Sequence, residues 1–300
     1  MIRFLVFSDL HYDDFADVDK RVEEIVTRAK SKQLDFIVSL GDICDPILKN
    51  CQVLKKFNSL GIPFYHVIGN HETDGFTLNE IAAFFSMPAS YYSVKWNDYK
   101  LIFLNTNYLE DNEGEKAFYK KNFQEIPSKQ PLLPADEMEW LQQELSDGMK
   151  YIVFSHHSLT NELPNRGVAN REKVYEMFRG KEVLLCMNGH DHGDSYTCID
   201  GTSYITVNSA NYAWLGTQID SSEALREKYS YLNGKLQYGQ AMSAYIEIDE
   251  KEIRIDGAEG SYLSVTPDDI ELYDYRFNGV SVKPRISSRR INLVSGTEVL

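Results

Sequence analysis

Five short apolar runs, each ending in a polar cluster, constrain this chain more than any other feature. They are Ile2–Phe7 before Ser8-Asp9, Phe36–Leu40 before Gly41-Asp42, Phe64–Ile68 before Gly69-Asn70, Tyr151–Phe154 before Ser155-His156, and Val183–Met187 before Asn188-Gly189-His190. Runs of this length bounded by turn-forming residues read as buried strands. Helical patterns around Val18–Lys30 and Ile47–Leu60 separate the first three, the alternation that a β-α-β-α unit requires. Parallel strands buried on both faces follow, and open α/β sheets gather ligands at the carboxyl ends of such strands. The polar clusters fall at those ends.

Three hairpins are expected as well. Tyr91–Lys95 and Lys100–Asn105 flank Trp96 to Tyr99; Ser195–Ile199 and Ser203–Val207 join across Asp200-Gly201; Ala244–Ile248 and Glu252–Asp256 join at Asp249 to Lys251. The back half is therefore mixed or antiparallel, and the expected fold is α/β: a four-layer α-β-β-α sandwich of two mixed sheets flanked by helices. Pro134 opens an amphipathic helix over Ala135–Ser146. The stretches Asn107–Pro134 and Asn208–Gln240 are long connections suited to a substrate wall. Residues 1–260 read as one domain, with 261–300 as an extension of irregular strands and loops packed on it.

The balance of 45 acidic against 31 basic residues gives a formal charge of -14. A broad electrostatic grip on nucleic-acid phosphates would work against that field, so a nucleic-acid partner is disfavoured. A phosphate-bearing small molecule would need a local positive centre, which bound metal ions can supply. The four cysteines lack paired Cys-x-x-Cys spacing, which argues against a disulfide framework or a cysteine zinc site and fits a reducing cytoplasm. Ile2–Phe7 runs straight into Ser8-Asp9 without a cleavage site, and no apolar stretch has the eighteen or so residues of a spanning helix, so neither a signal peptide nor a membrane partner is expected. Oligomeric state is left open.

Collected, the strand-end clusters are Asp9-Leu10-His11, Gly41 to Asp45, Gly69-Asn70-His71-Glu72, Ser155-His156-His157 and Gly189-His190-Asp191-His192. Six of the seven histidines lie inside them; His66 is left within a strand, as a core or edge histidine with its hydrogen bond satisfied. Two metals explain this set better than one. Oxygen donors mixed with imidazoles suit Mn, Fe or Zn better than Mg or Ca. Two such ions share a carboxylate, and Asp42 has that character, since Gly41 lets the site crowd the backbone.

The order of these motifs, from Asp9 to His192, resembles the calcineurin-like metallophosphoesterase superfamily. The resemblance implies two divalent or mixed-valence ions: Asp9, His11 and His192 on one, Asn70, His156 and His190 on the other, Asp42 bridging. It also implies that His71 is the catalytic histidine near the leaving-group oxygen, and that a hydroxide between the ions attacks phosphorus in line. Two doubly charged cations less the Asp9 and Asp42 carboxylates leave roughly +2 locally, enough to draw an anion to an acidic protein.

The chain also departs from the pattern. Relatives often read His-x-Pro where Ser158 stands after His156-His157, Asp45 replaces the metal-binding tyrosine of purple acid phosphatases, and the phosphate-binding arginine of protein Ser/Thr phosphatases is missing from Gly41–Pro46. Around the ligands, Glu72 either orients His71 or is an exposed loop carboxylate. Asp45 supports the site or caps a helix before Pro46, and His157 has a supporting or structural role. Asp191 and Asp194 either partner the flanking histidines or form a turn. Arg166 and Arg171 either fork onto a substrate phosphate or lie on the surface, and Tyr212 and Trp214 either stack on a nucleobase or pack their own loop. The expected activity is hydrolysis of a small phosphodiester or nucleotide pyrophosphate. The alternatives are a phosphomonoesterase acting on a small molecule or protein, and a catalytically inactive metal-binding interaction module.

Overall fold

The computed structural model describes residues 1–15, 17–125, 130–216, 222–293 and, by backbone alone, 297–299. The parts of the two long connections and of the tail that fall on 126–129, 217–221, 294–296 and 300 lie outside the described residues. In chain order the strands are β1 Ile2–Phe7, β2 Phe36–Ser39, β3 Phe64–His66, β4 Tyr92–Trp96, β5 Tyr99–Phe103, β6 Tyr108–Asp111, β7 Gly114–Ala117, β8 Lys150–Ser155, β9 Glu182–Asn188 and β10 Ser195–Ile199. There follow β11 Thr202–Thr206, β12 Tyr212–Trp214, β13 Lys235–Gln237, β14 Ala244–Ile248, β15 Glu252–Gly257, β16 Arg276–Phe277, β17 Val280–Ser281, β18 Arg289–Asn292 and β19 Thr297–Val299. The α-helices are α1 Val18–Lys30, α2 Cys51–Asn58, α3 Leu78–Phe84, α4 Ala135–Glu144, α5 Arg171–Phe178 and α6 Glu223–Lys228.

The strands make two large mixed sheets. One has the order β19-β18-β15-β14-β1-β2-β3, the other β10-β11-β9-β8-β5-β4. β1, β2 and β3 run parallel, as do β5, β8, β9 and β11. The three hairpins expected from the sequence are present as β4/β5, β10/β11 and β14/β15.

Period-two alternation explains the layering. Phe4 and Val6 of β1, Phe36 and Val38 of β2, and Ile152 and Phe154 of β8 share one apolar cluster between the sheets. Leu5, Phe7 and Ile37 point the other way, into a second cluster with Val22, Ile25 and Val26 of α1 and Val53 and Phe57 of α2. Tyr151 and Val153 likewise meet Met138 and Leu141 of α4 and Val174 and Phe178 of α5 in a third. Three cores separate four layers, helix, sheet, sheet and helix. Phe154 stacks on Phe103 at 5.0 Å and meets Phe4 edge-on at 5.7 Å, so truncating any of these rings leaves a cavity costing about 3–5 kcal/mol.

Several local expectations change. The helical pattern at Ile47–Leu60 is a 3-10 turn, Leu48–Asn50, followed by the shorter α2, and Ile47 is extended rather than helical. Asp45 therefore caps no helix. Within the 107–134 connection lies a hairpin, β6/β7, and within 208–240 another, β12/β13. From the tail, β18 pairs with β15 and β19 with β18, so the last strands extend the first sheet. Among the described residues no helix is long and apolar enough to cross a membrane.

Candidate metal centre

The carboxyl ends of β1, β2 and β3 in one sheet and of β8 and β9 in the other meet along one edge, and the loops there are laced together. Asp9 N–H donates to Gly41 O and His11 N–H to Asp42 O, each at 3.0 Å, while Gly189 N–H donates to His156 O at 3.1 Å. The backbone is strained where it turns: Asp9, His11, Asp42, His190 and His192 all have φ between 47° and 65°. Left-handed conformations outside glycine persist only where the surroundings over-determine them, and they gather at functional sites. Gly41 and Gly69 allow the close approach. A Cβ on Gly41 would lie 2.6 Å from His156 Nδ1, and one on Gly69 would overlap Asp42 Oδ1.

This edge brings together all seven residues expected to ligate and also His71. Three sets have donor atoms mutually within 4.8 Å: Asp9, His11 and His192; Asp9, Asp42 and His156; His11, Asp42 and His71. A fourth, within the same limit, is His156, His157 and His190. Asn70 Oδ1 lies 3.0 Å from His156 Nε2. His192 Nδ1 donates to Tyr212 O at 3.0 Å and His156 Nδ1 to Leu40 O at 2.7 Å. Because a carbonyl can only accept, both rings are held with Nε2 facing inward, the tautomer a metal requires.

The electrostatics are set by burial and by carboxylates beside imidazoles. Asp9 and Asp42 are almost completely buried, and among the described residues Asp9 Oδ1 has no hydrogen-bond donor in good geometry, with His192 Nε2 at 3.2 Å in ion-pair geometry. Burial opposes ionisation of both carboxyls, yet His192 and His156 hold Asp9 below its ordinary range and His156 and His71 hold Asp42 well below. His11, buried, is pushed down to about 3. Burial likewise keeps His157 and His190 neutral, with the His156 charge adding to it at His157 and that of Arg166 at His190. His11 Nε2 and His192 Nε2 face each other at 3.3 Å. Ionised carboxylates beside inward-facing imidazole nitrogens, including a buried carboxylate oxygen without a donor among the described residues, fit a pair of metal ions.

The supporting residues divide differently from expectation. Glu72 neither orients His71 nor is exposed. It is buried and accepts from Ile43 N–H at 2.9 Å, from Gly69 N–H at 2.8 Å and from His66, whose Nε2 is 3.0 Å away. It therefore clamps the Asp42 and Asn70 turns together. The His66 ring stacks on Phe85 and makes that one hydrogen bond through Nε2, while its Nδ1 takes none among the described residues. His71 is oriented by Asp74, which the sequence reading missed although its i+3 spacing in a 3-10 turn was available as a signal. His157 Nδ1 meets Thr106 Oγ1 at 2.7 Å. Asp45 lines a small acidic cleft beside His71, of about 100 Å³. Asp191 Oδ1 holds Arg166, whereas Asp194 accepts from Ser287 in the tail.

A larger cavity, about 650 Å³, opens over Asp42, Asn70, His71, His190 and His192. Its outer wall includes Phe118, Phe123, Arg166, Tyr212, Trp214 and Lys235. Arg171 is not on that wall; it opens α5 and donates from Nη1 to Val168 O at 3.0 Å. Tyr212 is buried, with its ring 4.5 Å from that of His192, so it packs against the histidines rather than offering a free face. Trp214 is partly exposed.

Carboxylates and imidazoles gathered at one edge of two sheets form a donor set that two metal ions could share. The sequence pattern of the calcineurin-like phosphoesterases matches residues 2–194; the chain belongs to that family and is a metal-dependent phosphoric ester hydrolase. Among solved structures it is similar to a dimetal phosphatase from Danio rerio, with 16% identity, 85% of this chain and 95% of the other covered, and a TM-score of 0.63. It is also similar to purple acid phosphatase PPD1 from yellow lupin (13%, 87% and 52% covered, TM-score 0.56) and to GAP50, the anchor in the inner membrane complex of Plasmodium (13%, 94% and 96%, 0.52). At these identities the likeness is one of fold. No curated protein matches the chain by sequence.

Proposed function

We propose that this chain hydrolyses a small phosphodiester or nucleotide pyrophosphate at two transition-metal ions, manganese, iron or zinc, held by Asp9, His11, Asp42, Asn70, His156, His190 and His192. The observation that carries the reading is the pair of fixed tautomers: His156 and His192 each engage Nδ1 with a main-chain carbonyl and turn Nε2 toward Asp42 and Asp9 respectively. Bound there, the ions supply Lewis acidity and an activated water. Asp42, between the two groups of donors, would be the carboxylate shared by both ions. His71 stands at the rim, half exposed, with its backbone N–H donating to Asp42 Oδ1 at 2.9 Å and its ring held by Asp74. From that position it donates a proton to the departing oxygen.

The test is turnover of bis(4-nitrophenyl) phosphate and of 4-nitrophenyl phosphate by the manganese-loaded chain, with metal content measured alongside. Diester turnover exceeding monoester turnover is expected. Monoester turnover alone would make the protein a phosphomonoesterase, and full metal loading without hydrolysis of any phosphoester, nucleotide pyrophosphates included, would make it a non-catalytic metal-binding module.

A further inference from the structure

β12 and β13 pair antiparallel, with Trp214 opposite Lys235. Residues opposite each other in a ladder share a face, as do residues two apart along a strand. One face of this hairpin thus carries Tyr212, Trp214 and Lys235, and all three line the cavity above the metal centre. Against Trp214 lies Arg166, its guanidinium carbon 4.7 Å from the ring centroid. Arg166 Nε donates to Asp191 Oδ1 at 3.2 Å and Nη2 to His190 O at 2.8 Å, while Nη1 has no partner among the described residues. Lys235 Nζ is ion-paired with Asp14 and lies 5.0 Å from the centre of the Tyr212 ring.

Lys235 bonds to none of the metal donors, and Arg166 reaches only the main-chain carbonyl of His190, leaving the imidazoles of His156 and His192 tied by Leu40 and Tyr212. Each has one carboxylate companion, so what they add to the cavity is directed donors more than net field. Stacking and the Asp191 contact hold the Arg166 fork in one orientation before anything binds, which lowers the cost of using it. A phosphate being cleaved would draw its charge compensation from metal ions held by the strand-end donors. Two further donors on the adjoining wall match a second anionic group on the same substrate.

We propose that Arg166 and Lys235 form a second anion subsite that selects substrates carrying another phosphate next to the scissile one. The assignment rests on the phosphoesterase reading above and narrows its substrate class. The test uses the manganese-loaded full chain, with affinities for ADP and AMP measured by titration calorimetry in the wild type, Lys235→Met and Arg166→Lys. The wild type is expected to bind ADP about tenfold or more tightly than AMP, and each variant to shrink that ratio severalfold. Equal affinities in the wild type, or a ratio preserved in both variants, would overturn the proposal. Lys235 belongs to no metal-donor loop, so Lys235→Met decides the matter alone if Arg166→Lys disturbs His190. Turnover of bis(4-nitrophenyl) phosphate by the same preparation tests the underlying reading separately. Hydrolysis with equal ADP and AMP affinities removes the subsite alone, and an ADP preference without hydrolysis removes the catalytic assignment alone.

Discussion

Asp74 holds the imidazole of His71 from three residues along the same 3-10 turn, with its Oδ2 3.1 Å from Nδ1. Partial burial works against protonation of that ring, but Asp42 and Asp74 outweigh it and raise its pKa above the ordinary value. A general acid must carry its proton, so activity depending on His71 is lost as pH rises through that pKa. Asp74→Asn removes one of the supporting charges and should move the alkaline limb of the kcat/KM profile to lower pH, with kcat falling about tenfold. A limb unmoved by the substitution would separate Asp74 from the chemistry.

His71→Ala should lower turnover by ~10²- to 10⁴-fold, the range of a single acid-base group, while metal stoichiometry stays at two. Elemental analysis beside the diester assay checks both halves. Turnover within a factor of a few of wild type would take the proton donor's role from His71.

Glu72 supplies the clamp between the Gly41 and Gly69 turns. Glu72→Ala leaves the Ile43 and Gly69 N–H groups without their acceptor and His66 without its partner, a loss of roughly 3–5 kcal/mol as for other broken buried pairs. Urea unfolding of the metal-free protein measures this directly. A change below about 1 kcal/mol would show that other contacts hold these turns.

Metal uptake should release a proton. Burial opposes charge on His156, but the Asp42 carboxylate, 3.3 Å from Nε2, raises its pKa to about 9. Since Nδ1 already donates to Leu40 O, the additional proton sits on Nε2, where a cation would bind. Below pH 9 an incoming ion must displace it, so apparent affinity should climb with pH and level off near 9, with about one proton released from His156 at neutral pH. Calorimetry in buffers of different ionisation enthalpy gives the count. Binding independent of pH between 6 and 9 would exclude His156 as a ligand.

Much of the fold and of the site's membership was legible because two simple periodicities coincide. An unbroken apolar run such as Phe4-Leu5-Val6-Phe7 already specifies a strand buried on both faces, and the polar residues that end such runs can lie only where the strands stop. Histidines drawn from four such ends, and Asp42 from a fifth, therefore share an edge once the strands are parallel. Local patterning could not give the partners of the supporting residues. Glu72 reads equally well as exposed or buried from its neighbours, and its place is decided by Ile43, twenty-nine positions away. Lys235 joins the cavity through its pairing with Trp214 across the β12/β13 ladder, a register that neither strand encodes by itself.

The sequence alone determined the layered α/β architecture, the family and the set of side chains at the strand ends, because these follow from short-range periodicity and residue chemistry. Tertiary structure decided which nitrogen of His156 and His192 faces inward, that Asp74 rather than Glu72 steadies His71, and that Arg166 reaches the cavity while Arg171 does not. The tautomers and the reach of Arg166 are set by the Leu40 and Tyr212 carbonyls, the Asp191 carboxylate and the Trp214 ring, which only packing brings within range, whereas Asp74 acts once the local chain winds into a 3-10 turn.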